Sequence, residues 1–181
     1  MAEENLDRDT VIAAGLKLLR VVGMSGLTMR GLAAELDVKA PTLYWHFAGK
    51  RALLDALAEA IATQGMAGVN APEPGERWWD WLARRARAFR DSLLGYPDGG
   101  LIHAGTRPVR ADLGPTVRLV ELMVGGGVPR DTAYQAVLAV SRYTVGCVIE
   151  QQQASTIDED ENERFERGLA LIIAGIKTTV V

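Results

Sequence analysis

The sequence predicts an all-α protein: an N-terminal three-helix helix-turn-helix domain over residues 1–50, then a larger C-terminal helical domain over residues 51–181. Three observations carry that expectation. Apolar residues recur three and four positions apart along most of the chain, the period of a helix with one buried face. No stretch alternates apolar and polar residues as a half-buried strand does. Glycine and proline gather between the periodic stretches, at 23–26, 68–76, 95–100 and 125–127, where they interrupt helices.

Ile12, Leu16, Leu19 and Val22 mark the first helix, which the Gly23–Gly26 cluster ends. Thr28, whose hydroxyl can accept from the free N–H groups of a first turn, caps a short second helix with Leu32, Ala33 and Leu36 on one face. Asp37-Val38 leaves room for a tight turn only. The third helix is expected from about Lys39 to Phe47, with Pro41 in its first turn and Leu43 and Phe47, four apart, on the buried side. After Gly49, Leu53, Leu54, Leu57 and Ile61 mark a fourth helix to about Met66. No linker precedes it, so it should join the two domains rigidly.

Residues 68–76 form the clearest loop. Trp78, Leu82, Phe89 and Leu93 mark the next helix, and a short helical or irregular piece leads to Pro108. Leu113, Val117, Val120 and Val124 mark another, stopped by Gly125-Gly-Gly127. Asp131 is placed to cap a long helix through Gln153. In the last helix Phe165, Leu169, Ile172, Ile173 and Ile176 form one apolar stripe. Trp78, Trp79 and Trp81 read as core and domain packing.

Composition narrows the function. Of 181 residues 48% are hydrophobic and 24% charged, which suits a folded protein and not a disordered chain. The single cysteine, Cys147, rules out a disulfide framework and reads as a buried, reduced thiol. The first residues lack the basic and apolar regions of a signal peptide, and no apolar run suffices for a membrane helix, so a cytoplasmic protein without a membrane partner is expected. The net charge of -3 conceals a weakly basic island, in which Arg30, Lys39, Lys50 and Arg51 face only Glu35 and Asp37. Asp158 to Glu166 is strongly acidic. With two histidines and no catalytic or phosphate-loop motif, an enzyme is not expected, and no cofactor is required.

Helix, tight turn, helix is the geometry that lays one helix in a DNA major groove while its neighbour braces it. With Leu43 and Phe47 turned inward, Ala40, Pro41, Thr42, Tyr44, Trp45 and His46 occupy the other faces of the third helix. Ala40 and Pro41 suit a thymine methyl, Thr42 and His46 base edges or phosphates, and Tyr44 a phosphate. Arg30 is placed to reach a guanine, and Lys50 a phosphate. The alternative, that Tyr44 and Trp45 are core aromatics and Arg30 a solvated charge, stays open on periodicity alone.

The run Gly26 to Leu57, above all Pro41-Thr-Leu-Tyr-Trp-His46 followed by Lys50-Arg-Ala-Leu-Leu-Asp-Ala-Leu57, closely resembles the DNA-binding segment of the TetR family, in its tetracycline-repressor-like branch. That resemblance implies a homodimeric repressor of palindromic operator DNA, released by a small, polycyclic, tetracycline-like inducer. An activator or a sensing scaffold of the same fold is the alternative. It implies DNA contacts from Thr28, Met29, Arg30, Ala40, Pro41, Thr42, Tyr44, Trp45, His46 and Lys50, and pairing of two copies through Val137, Val148, Phe165, Leu169, Ile172 and Ile176. Where the close relative has a base-reading glutamine this chain has Ala40, so a different operator is expected.

The resemblance extends to Asp98-Gly-Gly-Leu-Ile-His-Ala-Gly-Thr-Arg-Pro108 and Tyr143-Thr-Val-Gly-Cys-Val-Ile-Glu-Gln151. It implies ligand contacts from Phe89, His103, Thr106, Arg107 and Pro108, and a Glu150 that serves the partner copy's site. His103 would bind magnesium there, and only together with a chelating ligand; a plain hydrogen-bonded wall residue is the other reading. Three positions depart from the family. Met66 replaces a histidine, Arg85 an asparagine and Leu119 a glutamine, all of which hold the drug's polar edge. Each polar ligand atom left unpaired would cost about 1–3 kcal/mol, so a more apolar ligand is expected.

Overall fold

The computed structural model describes residues 6–106, 114–155 and 160–180, and every regular element among them is helical. Helix α1, Arg8–Gly26, starts where the Asp7 carboxylate accepts from the Thr10 N–H at 2.7 Å. Its buried face is Val11, Gly15, Leu16 and Leu19, whereas Ile12 is half-buried and Val22 exposed. The stripe is thus set one residue earlier than Ile12 suggested. At Gly23 the backbone turns to φ 65, a value open to glycine and strained for a β-branched residue.

Thr28 caps α2, Met29–Glu35, its hydroxyl accepting from Gly31 N–H at 3.0 Å. Thr28→Ala should therefore lower unfolding free energy by about 1 kcal/mol in urea titration, with Thr28→Ser close to wild type; equal loss in both would mean that the cap contributes nothing. Asp37, at φ 52, turns the chain into α3, Ala40–Tyr44. This helix is shorter than expected: Trp45 and His46 lie in the turn that follows, and Gly49 leads into α4, Lys50–Gly65.

A 3-10 turn at Ala67–Val69 precedes α5, Trp78–Leu94. The chain continues through α6, Gly99–Gly105, α7, Gly114–Gly125, α8, Arg130–Gln153, and α9, Glu161–Thr178. Trp81 and Trp78 are buried, with the Trp81 indole N–H donating to Val69 O at 2.9 Å, and Trp79 is half-buried beneath Arg77 and Lys177. In α7 the buried residues are Leu119, Val120 and Met123, while Val117 is half exposed; Leu113 lies outside the described residues. Asp131 sits in the first turn of α8, and Pro129 holds the capping position. Cys147 is half-buried, and burial pushes its thiol pKa up, which suits an inert thiol.

The residues expected to pair two copies need correction. Val137, Val148, Phe165 and Leu169 are at most 8% exposed within a single chain, because they pack against the chain's own neighbouring helices. Outward-facing apolar groups on α8 and α9 are instead Tyr134 and Leu171, with Ile172 and Ile176 half-buried.

Helix α4 packs against α1 on one side and against α5 and α6 on the other. The apolar core under α1 to α4 runs on without a break into Phe89, Leu93, Tyr96, Ile102, Val145 and Val148. Close approach fixes α6 in this core: a Cβ on Gly99 would overlap the Leu93 carbonyl, and one on Gly100 would press on Ile149. Gln152 grips the same place, its amide donating to Tyr96 O at 2.8 Å and its carbonyl accepting from Gly100 N–H at 3.1 Å.

Candidate nucleic-acid interface and ligand cavity

Leu43 and Phe47 are buried beneath α3, as their spacing predicts, and this holds Tyr44 54% and Trp45 90% exposed. An indole so open to water has little to offer the core, so the surface reading of these aromatics prevails over the core reading. Pro41 lies on the same exposed side, with Thr28 and Arg30 exposed at the start of α2. Ala40, Thr42 and His46 are half-buried. Two expected DNA contacts sit differently. Met29 is only 8% exposed and belongs to the core, so it supports this surface from beneath. Lys50 is half-buried and its ammonium donates to Met24 O at 2.8 Å, which ties the end of α1 to the start of α4.

Between α4, α5, α6, α7 and α8 lies a cavity of about 810 Å³. It brings together Met66, Arg85, Phe89, His103, Thr106 and Leu119, six of the residues expected to meet a ligand. Arg107 and Pro108 lie outside the described residues. Glu150 is exposed and does not line the cavity of its own chain. Sequence reasoning missed Ser141 and Thr144, which share the cavity-facing side of α8 with Val137. Their signal was present: polar residues three and four positions along an otherwise apolar face. Thr144 satisfies its own hydroxyl by donating to Val140 O at 2.8 Å.

His103 meets Phe89 edge to face, with ring centroids 4.9 Å apart, and its Nδ1 is buried without a protein partner among the described residues. Burial in this apolar wall pushes the His103 pKa below the ordinary histidine value of 6.5. The neutral ring therefore has one nitrogen free to donate or accept toward a ligand.

The same shift predicts a pH effect. Because the folded pKa lies below the unfolded one, the unfolded chain binds the proton more readily, so the contribution is complete above about pH 6.5 and is lost as pH falls below it. Urea unfolding across that range should show a shallower decline for His103→Gln than for wild type; identical slopes would contradict the burial of a neutral ring.

No three of the described His, Cys, Asp and Glu residues come together to hold a metal. Magnesium prefers about six oxygen donors, and His103 offers a single nitrogen. A metal would thus enter only with a ligand that brings most of the donors, His103 being the one imidazole among the described residues of the cavity wall.

Helix α6, which carries His103, is bonded at both ends to the DNA-binding unit. The Asp98 carboxylate accepts from Met24 N–H at 3.1 Å, and Arg20 donates to the Tyr96 hydroxyl at 3.1 Å while lying 4.5 Å from the centre of its ring. At the other end Arg51 donates to Gly105 O. These contacts join the cavity wall to α1 and α4 together.

Residues 11–57 match the family described as bacterial regulatory proteins, tetR family, and residues 71–162 match the tetracyclin repressor-like C-terminal domain. Tetracycline repressor protein class G of Vibrio anguillarum is 48% identical over 88% of this chain and 75% of its own. Among solved structures, a TetR variant from Acinetobacter baumannii AYE in complex with minocycline is 44% identical with a TM-score of 0.89, covering 98% of this chain and 99% of that one. TetR of class A, in complex with 5a,6-anhydrotetracycline and magnesium, is 38% identical with a TM-score of 0.77, covering 96% and 99%.

Proposed function

We propose that this chain, which belongs to the tetR family of bacterial regulatory proteins, represses transcription as a homodimer on a palindromic operator and lets go when a small polycyclic molecule fills its cavity. It is a regulator and not an enzyme, of the ligand-responsive repressor class to which its relatives belong. Each copy lays α3 in the major groove of one half-site. Pro41 and Ala40 meet a thymine methyl, Thr42 and His46 reach base edges or phosphates, Tyr44 packs on the backbone and Arg30 reads a guanine. Outward residues of α8 and α9, Tyr134 and Leu171 foremost, join the two copies.

One observation carries this reading. The core that buries Leu43 and Phe47 beneath the exposed Tyr44 and Trp45 continues to Phe89 in the cavity wall, and the α6 segment of that wall is hydrogen-bonded to both α1 and α4. Filling the cavity shifts α6 and changes the separation of the two α3 helices. To move the population from 1:99 to 99:1, a ligand must favour the released state by roughly 5.5 kcal/mol. Loss of the family's polar drug contacts at Met66 and Leu119 points to an inducer more apolar than tetracycline, and a metal, where one is used, arrives chelated by that inducer and meets His103.

The test is fluorescence anisotropy on the DNA flanking the protein's own gene, with sedimentation to give the stoichiometry. Salt-sensitive binding of two chains per site, reversed by a polycyclic ligand, is the expected result. Binding no tighter than to scrambled DNA would refute the proposal.

A further inference from the structure

The arginines of α5 are not treated alike. Arg84 is matched by Glu76, with contacts of 2.9 and 2.7 Å, and Arg87 by both oxygens of Glu166 at 2.8 and 2.7 Å. Arg90 is buried and has no carboxylate partner among the described residues. It nevertheless donates to two amide oxygens, Asn162 at 3.1 Å and Gln151 at 2.8 Å, lies 4.8 Å from the centre of the Phe165 ring and is outside the cavity lining. Arg85 is the exception. It is 9% exposed, lines the cavity, and makes one long hydrogen bond, 3.3 Å, to the neutral side-chain oxygen of Asn70. No carboxylate among the described residues pairs with it.

The cavity's own acids do not supply the missing charge. Asp55 is held by Arg51 at 3.0 Å, and Glu59 is exposed. The cavity that Arg85 lines is walled largely by apolar groups, among them Leu82, Ala86, Phe89, Leu119 and Val137. Burial there pushes the Arg85 pKa down, but a guanidinium stays charged near neutral pH. A buried cation with no anion opposite it is costly, and the cost is relieved when an anion arrives with geometry that fits the planar fork.

We propose that Arg85 is an anion-recognition residue, and that the cavity's ligand is an apolar, ring-bearing molecule that carries a carboxylate. This rests on the reading of the cavity as the inducer site. The volume, about 810 Å³, lies in the range that encloses a small molecule. The ligand's apolar body lies along Phe89, Leu119 and Val137, its carboxylate takes two parallel N–H bonds from Arg85, and the His103 ring meets a second polar group.

The experiment is calorimetry with matched pairs of one-, two- and three-ring aromatic probes, benzoate, 2-naphthoate and anthraquinone-2-carboxylate, each beside its carboxamide. The full-length wild-type protein should bind the carboxylate of at least one pair about tenfold or more tighter than the amide, in keeping with the strength of a charge-assisted bidentate contact. Arg85→Gln should erase that preference and Arg85→Lys should keep part of it, with circular dichroism verifying that both variants fold. No preference in any pair, including failure of both members to bind, or a preference that survives Arg85→Gln, overturns the proposal. Operator release, read in parallel, separates the two claims. A preferred carboxylate that binds without releasing operator would sink the inducer reading and leave anion recognition standing. Release by the amides as readily as by the carboxylates, unchanged in Arg85→Gln, would do the reverse.

Discussion

Trp45→Ala weakens binding to the operator by roughly 5- to 150-fold while leaving unfolding free energy within about 0.5 kcal/mol of wild type. Both halves of that expectation come from exposure. An indole 90% open to water makes few contacts in the free protein, so its removal costs the fold little; if it lies against a duplex, the loss falls on the complex. Arg30→Ala should reduce affinity over a similar range but mainly for the cognate sequence, since a lost guanine contact relaxes specificity. Tyr44→Phe should weaken all sequences alike and leave the salt slope unchanged, since a neutral hydroxyl bonded to a phosphate releases no counterion. Operator and scrambled-DNA titrations at several salt concentrations, together with urea unfolding, decide the matter. If Trp45→Ala and Arg30→Ala both leave operator affinity within about twofold of wild type, a change too small to be a lost contact, then the face made by the start of α2, α3 and the turn after it does not read the operator.

Much of this arrangement is legible in the sequence where a single apolar stripe is bounded by breakers. Leu53, Leu57 and Ile61 place α4, and Leu43 with Phe47 places the inward side of α3 and so the outward side too. Where the helix is apolar almost all round, as from Val117 to Val124, periodicity cannot choose a face; the stripe through Val117 and Val124 yields to Leu119, Val120 and Met123. A stripe also says that residues are buried without saying against what. Phe165 and Leu169 are core residues of one chain, although their spacing suits a bundle of two. The cavity is legible only through resemblance, because six residues from three helices and two helix ends share no local pattern. Ser141 and Thr144 escaped because a polar residue on a long helix is unremarkable until the space opposite it is known. No sequence pattern brings Asp98 to Met24 or Tyr96 to Arg20, since these contacts depend on how α6 is seated between α5 and α8.

That seating leads to the second large effect: the double variant Arg20→Ala, Asp98→Gly, in which glycine removes the acceptor and suits the φ of 60 at this position, should still bind both operator and inducer yet respond poorly to the inducer. Asp98 bonds the backbone N–H of Met24 at the end of α1, and Tyr96 meets the Arg20 side chain three residues before the start of α6. Neither pair lines the cavity or lies on the exposed side of α3. Cutting both leaves α6 free to shift with the ligand without dragging α1, so binding energy at the cavity no longer distinguishes the two positions of α3. Because coupling between sites is itself a free energy, commonly about 1–3 kcal/mol or 5- to 150-fold in affinity, the inducer's effect on operator affinity should shrink by a comparable factor. Linkage makes a second, independent measurement available, since operator DNA must weaken inducer binding by the same factor as inducer weakens operator binding. In the double variant both factors should fall together, with Arg51 and Gly105 as the remaining path through α4. Should inducer binding and operator release both persist at wild-type strength, the coupling runs through α4 alone and the contacts of Asp98 and Tyr96 with α1 serve only to hold the domains together.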